Sequence, residues 1–330
     1  MLFQTLYIEE EVASHPRVLE ITGRFPEAKI VYCENYGEVF NRSAQSFRLQ
    51  KQNPSLILAR KYKNHVLEAP EGYGIGASEN YYFSHMLNCV YDCRYCFLQG
   101  MYQSANYVLF VNYEDFFSAI QVLPSRHETS HFFSGYDCDS LALEPVTGFA
   151  EACLDFFQQQ PGKLLELRTK STQIRGLLGR EAMDNVVVAF SLSPENIAES
   201  LEHKTPPLQR RLDAMNKLAN AGWKLGLRFD PIIYHANFKQ HYDELFSQVF
   251  SAIKPESIHS VSLGVFRLPT GFFRKVQKLY PEEKLFAGPM QDRKGMMAYR
   301  DDVEQEIMDY CKQQIMRYID NNAFFPCLYD

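Results

Sequence analysis

From residue 81 onward the chain alternates short apolar runs with longer amphipathic stretches, the rhythm of strands and helices that follow one another singly. The runs 81–87 (YYFSHML), 131–136 (HFFSGY), 164–169 (LLELRT), 186–193 (VVVAFSLS), 224–233 (KLGLRFDPII) and 259–266 (HSVSLGVF) are each bounded by polar or turn residues and predict six strands. The stretches between them have helical spacing. One sets Phe238, Tyr242, Leu245, Phe246, Val249, Phe250 and Ile253 on a single face. Another, 301–320, opens on acidic residues, which suit a helix N-terminus, and lines up Val303, Ile307, Cys311 and Ile315. Strands that alternate with helices pair in parallel, and right-handed crossovers curl six such units into an incomplete barrel. In folds of this kind the site lies at the carboxyl ends of the strands.

Residues 1–80 mix shorter strand-like and helical pieces and end in the loop 68–80, with Gly72, Gly74 and Gly76. The third glycine spacing and the following helix of a dinucleotide fingerprint are absent, so the loop reads as a flexible entry to the next strand. The expected organisation is an N-terminal α/β extension, 1–80, packed on a barrel, 81–330, that carries its substrate-facing elements towards its C-terminal end. A hydrophobic content of 46% over 330 residues supports a large core rather than disorder. The formal charge of -6, from 34 basic and 40 acidic residues, excludes a surface that attracts phosphates as a whole, so any nucleic-acid contact must be a local patch. No secretory signal is visible, and no apolar run approaches the roughly 20 residues of a membrane span. A cytoplasmic protein without membrane contact is the expectation.

Of eight cysteines, three crowd into eight positions as Cys89, Cys93 and Cys96, in CVYDCRYC. Cys33, Cys153, Cys311 and Cys327 stand apart and read as small buried hydrophobes. A 4Fe-4S cubane needs thiolates that converge on separate irons, and a short loop can present three of them, leaving the fourth iron open. The competing reading is zinc, which takes four ligands in a closed tetrahedron. His85 or Cys138 would then supply the fourth, although paired CxxC knuckles are missing.

The segment CVYDCRYCFLQG resembles the cluster loop of the spore photoproduct lyase family of radical S-adenosylmethionine (radical SAM) enzymes, which reverse a thymine dimer lesion in DNA. The likeness extends to YIEEEVASHP (7–16), SLILARK (55–61), YVLFVNYEDF (107–116), RTKS (168–171), AFSLSPENI (189–197), the run 202–233 and MMAYRDD (296–302). It implies a partial (β/α)6 TIM-like barrel, in agreement with the six strands. It also implies a 4Fe-4S cluster on Cys89, Cys93 and Cys96, and S-adenosyl-L-methionine on its open iron. Cleavage of that cofactor by one electron yields a 5'-deoxyadenosyl radical, which abstracts hydrogen from the substrate. By position, Tyr95 resembles a family residue lining the cofactor, and Lys170 and Ser191 resemble residues that hold it. A DNA or nucleobase substrate is implied, with an electron donor such as flavodoxin or ferredoxin.

Two positions depart from the family. Its hydrogen-donor cysteine lies in a C-T-S-D motif, and the matching stretch here is Tyr136, Asp137, Cys138, Asp139. A family tyrosine after the last cluster cysteine is Phe97, which cannot pass a hydrogen atom. Cys138 is the available thiol and Tyr136 occupies the donor position, so both are candidate catalytic residues.

Arg228 and Asp230 alternate on one side of a strand near its carboxyl end, where they would grip substrate or adenosine, or form a structural ion pair. Glu144, Glu202 and Arg211 read as ties between helices and loops. Arg267, Arg293, Lys294 and Arg300 are the candidate phosphate-facing patch. Three readings follow: a lesion-cleaving radical SAM lyase, a radical SAM enzyme with another substrate, or a metal-binding protein without catalysis.

Overall fold

Val186–Ser191 is six buried residues, VVVAFS, and a strand apolar on both faces belongs inside a parallel sheet covered by helices. In the computed structural model, which describes residues 3–70, 72–123 and 130–327, it is such a strand. The six predicted strands are β1 (Glu79–Phe83), β2 (Ser130–Ser134), β3 (Lys163–Thr169), β4 (Val186–Ser191), β5 (Lys224–Ile232) and β6 (Ile258–Val265). Each pairs in parallel with the next. A seventh, β7 (Phe324–Pro326), continues the sheet beyond β6, and Leu67–Glu68 lies antiparallel on the β1 edge. The sheet curls without closing, a half-barrel.

The helices used below are α1 (Phe47–Gln50), α2 (Leu98–Met101), α3 (Tyr113–Val122), α4 (Phe149–Phe157), α5 (Leu208–Asn220), α6 (Phe238–Ala252), α7 (Thr270–Leu279) and α8 (Asp301–Ile315). On α6 the predicted stripe is buried at Phe238, Tyr242, Leu245, Phe246 and Val249. Phe250 is half-buried and stacks on Tyr318 at 4.5 Å, and Ile253 follows the helix end. On α8 the buried residues are Val303, Ile307, Cys311 and Ile315. Each such side chain contributes about 1.5–3 kcal/mol on burial, which fixes these helices against the sheet more firmly than helix propensity does. No helix among the described residues is long and apolar enough to cross a membrane.

The run 81–87 is not one strand. β1 ends at Phe83, the buried Ser84 and His85 turn the chain, and Met86–Leu87 pairs antiparallel with Tyr107–Phe110 in a second sheet. That sheet has the order Lys29–Cys33, Thr5–Glu9, Leu56–Ala59, Tyr107–Phe110, Met86–Leu87. The N-terminal layer therefore reclaims residues beyond 80, while Leu67–Glu68 and β1, which begins at Glu79, serve the barrel. One apolar core runs under both sheets, from Leu56 and Leu58 to Leu165 and Val188. Cys33 and Cys153 are buried as expected. Cys327 departs from that reading: it is half-buried just after β7, close enough to Asp230 and Arg267 to feel their charges.

Candidate active site

At the carboxyl ends of the barrel strands lies a cavity of about 230 Å³, lined among others by Cys89, Cys93, Cys96, Tyr95, Tyr136, Cys138, Lys170, Ser191, Asp230 and Arg267. The loop bearing the triad is fastened at every stage. Asn88 turns into the left-handed region at φ 68°, and its amide donates to Ser104 O and Asn106 O, both at 2.7 Å. The buried Lys51 ammonium donates to Cys89 O at 2.9 Å and Tyr91 O at 3.0 Å. Asp92–Cys93 pairs antiparallel with Glu202–His203, and Cys96 N closes a turn on Cys93 O at 3.1 Å.

Burial pushes the Cys89 thiol up to about 12, with Asp139 adding to the rise and Lys51 opposing it. Burial also raises Cys93 well above its ordinary value, against the charge of Lys170, and raises Cys96. The neighbouring sulfurs feel one another, since Cys96 destabilises the thiolates of both Cys89 and Cys93. Three adjacent thiols in a dry wall, with Lys51 and Lys170 placed to offset thiolate charge, fit a polynuclear thiolate-held group. Among the described residues no three His, Cys, Asp or Glu side chains are placed to hold a single ion. A cubane asks less, because each thiol takes its own iron. The two residues considered as a fourth zinc ligand lie against each other: His85 stacks on Phe149 at 3.7 Å, and Cys138 Sγ lies 3.9 Å from His85 Nδ1.

Around the triad the strand ends supply polar groups. Lys170 follows β3, and its ammonium sits 5.5 Å from the Tyr95 ring centroid. Burial works against its charge, but Glu202 and Cys93 more than compensate and hold its pKa above the ordinary lysine value. Tyr95 donates its hydroxyl to Glu202, which also accepts from Ser193 at 2.9 Å and pairs with Arg211 at 2.5 Å. Glu202 and Arg211 thus form the expected tie, yet Glu202 also sets Tyr95 and Lys170. Asp139 was missed as a site residue. It accepts from Thr169 Oγ1 at 2.6 Å and Lys170 N at 2.7 Å, which locks the β2 loop to the end of β3. Burial is the signal for both acids, and no local pattern encodes it. Glu144 caps α4, accepting from Ala150 N at 2.8 Å and Glu151 N at 3.0 Å, as a tie should.

Tyr136 and Cys138 both reach the cavity. Gly135, at φ 82°, makes the turn, and a Cβ there would lie 2.5 Å from Ser140 Oγ. The Tyr136 ring is 4.4 Å from Tyr82 and 5.5 Å from Phe97, an aromatic wall beside the triad. Cys138 is buried, and that burial holds its thiol well above its ordinary pKa, so the S–H proton stays on.

Other expectations need correction. Arg228 does not line the cavity and does not pair with Asp230. It lies one layer deeper, bound to Glu166 at 2.7 Å and Ser260 Oγ at 2.8 Å. Burial alone would raise the Glu166 carboxyl, but the charges of Arg228 and Arg168 outweigh it and hold the group at about 2. Asp230 does line the cavity, with Arg267 at 3.5 Å. The four-residue basic patch is not one surface. Arg293 is taken by Asp301 and Glu304, both at 2.6 Å, Arg300 pairs with Asp302 at 3.1 Å, and Lys294 sits in the turn between Met290–Arg293 and Met296–Tyr299. Of the four, Arg267 alone is a cavity residue.

A parallel half-barrel with a CxxxCxxC loop at its mouth, walled by strand-end polar groups, defines a radical SAM enzyme. A family profile described as spore photoproduct lyase matches residues 76–325. The chain belongs to the spore photoproduct lyase family. It is 24% identical over 340 residues to the spore photoproduct lyase of Bacillus subtilis (strain 168), covering 98% of this chain and 96% of that one. The spore photoproduct lyase of Clostridium acetobutylicum is likewise 24% identical, over 96% of each chain. Among solved structures, a mutant spore photoproduct lyase with bound AdoMet (S-adenosylmethionine) and dinucleoside spore photoproduct superposes with a TM-score of 0.87 at 21% identity, over 100% of this chain and 99% of that one. Streptococcus suis SuiB, bound to precursor peptide SuiA, matches with a TM-score of 0.51 at 12% identity, over 74% of this chain and 48% of its own.

Proposed function

We propose that the protein cleaves a carbon–carbon bond in a nucleic-acid photolesion and that Cys138 ends the reaction. The observation that carries this is the placement of the Cys138 thiol, still protonated, in the same cavity wall as Cys89, Cys93 and Cys96. The family members it resembles act on spore photoproduct by name, and a solved relative holds the dinucleoside form.

The three cysteines would hold a 4Fe-4S cluster, which with S-adenosyl-L-methionine supplies hydrogen abstraction when bound. The remaining chemistry belongs to the chain. Lys170, steadied by Glu202, would meet a cofactor carboxylate, and Ser191 and Tyr95 border the same space. Tyr73, Tyr136 and Phe97 offer faces on which a nucleobase stacks, and Arg267 offers the cation for a phosphate. Cys138 then gives its hydrogen atom to the substrate carbon radical: a C–H bond forms, the S–H bond breaks, and the unpaired electron passes to sulfur.

Tyr136 in the family's donor position favours a second reading, in which the same radical chemistry serves another substrate. Anaerobic, reduced protein incubated with ultraviolet-irradiated DNA separates the two. Restored thymine accompanied by 5'-deoxyadenosine is the expected result. Cleavage of S-adenosylmethionine without thymine recovery would sink the lesion reading and leave the second.

A further inference from the structure

A groove runs between α1, α2 and α7, walled by Phe47, Arg48, Gln99, Tyr102, Lys275 and Lys278 among others. Arg48, Lys275 and Lys278 are exposed, and no Asp or Glu lines the groove, in a chain whose formal charge is -6. At its edge Glu282 pairs with Arg48 at 3.3 Å. The groove shares no lining residue with the substrate cavity.

Its wall is nonetheless fastened to the cluster loop. Gln99 N donates to Cys96 O at 3.1 Å, and the Gln99 side-chain amide donates to Asp92 Oδ1 at 2.9 Å and Cys93 O at 3.4 Å. Lys51, the residue after α1, sets its buried ammonium on Cys89 O and Tyr91 O. All three cluster cysteines are therefore hydrogen-bonded to a residue in this wall or next to it.

We propose that this groove is the docking surface for an acidic one-electron carrier protein, which reduces the cluster through the α1 and α2 wall. The inference rests on the iron–sulfur reading above. One electron leaves the carrier and enters the cluster, and no atom or proton crosses. A cationic rim steers an acidic partner and fixes its orientation. Entry here leaves the cavity to substrate and cofactor. A DNA track would instead have to run into that cavity, and the groove does not.

The test uses the full chain with its cluster, verified first by iron and sulfide analysis, and follows cluster reduction under anaerobic, low-salt conditions. Flavodoxin hydroquinone is one reductant and dithionite the other. Lys275→Glu/Lys278→Glu should slow reduction by flavodoxin about tenfold or more and leave the dithionite rate unchanged. Added salt should bring the unmodified protein down towards the variant. Lys275→Ala/Lys278→Ala should show a smaller loss in the same direction, which guards against a folding defect in the double reversal. Equal flavodoxin rates in all three proteins would overturn the proposal. So would a reversal variant that loses affinity for duplex DNA while keeping its flavodoxin rate, because the groove would then be a nucleic-acid surface. If the unmodified chain carries no cluster, the iron analysis shows it before any rate is measured, and the underlying reading falls together with this one.

Discussion

Cys138 and Tyr136 stand two residues apart on one loop, and replacing each separates their roles. Cys138→Ala should cut thymine recovery by about tenfold or more, a loss of at least 1.4 kcal/mol of transition-state stabilisation, while S-adenosylmethionine cleavage continues. Tyr136→Phe should keep recovery within about twofold, because its ring and not its hydroxyl shapes the wall. Product analysis by mass spectrometry after reaction in deuterated buffer checks both: deuterium at the restored methyl group should depend on Cys138. The thiol's neighbour yields a pH prediction. Burial lowers the His85 imidazole from 6.5 to about 3, so the folded chain keeps it neutral while the unfolded chain takes up a proton near pH 6.5. Its contribution is complete above pH 6.5 and is lost as pH falls towards 3, by up to about 1.4 kcal/mol per pH unit. Melting temperature should therefore fall between pH 6.5 and 4.5, and His85→Phe, which preserves the stack on Phe149, should flatten that slope. A slope unchanged by the substitution would assign the acid sensitivity to other groups. The depth of His85 was not legible in the sequence, where it was one of two adjacent polar residues in an apolar run and a candidate zinc ligand.

At the scale of strands and helices, periodicity located the barrel but not the depth of its side chains. Alternation along β5 put Arg228 and Asp230 on one side, and the structure agrees. The sequence does not say that two residues of rise separate a cavity carboxylate from a guanidinium locked in the barrel interior. Arg228→Met should leave Glu166 charged, buried and bound only by the side-on Arg168, at a cost of about 3–5 kcal/mol. Denaturant melts would measure this, and S-adenosylmethionine affinity should change little. A large loss of cofactor affinity at unchanged stability would restore Arg228 to the site. The run 81–87 failed for a related reason. Hydrophobicity records that a segment is buried but not which sheet buries it, and the two polar residues at its centre divide it between two sheets. That Cys89, Cys93 and Cys96 share one cavity wall was legible because their spacing is local. Glu202, Asp139 and Lys51 were not, because their partners lie far along the chain.

For the molecule as a whole, the triad and the fold make one joint demand: iron, sulfide and cofactor cleavage should appear together and vanish together. Replacing Cys89, Cys93 or Cys96 by Ala should abolish 5'-deoxyadenosine formation while circular dichroism stays near that of the parent, since each change removes a single sulfur at the margin of a core that spans both sheets. Retained cleavage in any one of the three would remove that cysteine from the ligand set. The division into an extension and a barrel, drawn at residue 80 from the onset of regular strand–helix alternation, is less a boundary than a weave. Between Met86–Leu87 and Tyr107–Phe110 the chain leaves the second sheet, presents Cys89, Cys93 and Cys96 to the barrel mouth and returns to the strand beside Leu56–Ala59. A clasp fastened on two straps reports tension in either. Filling or emptying the metal site should thus register at a distance, as a change in amide hydrogen exchange along Leu56–Ala59.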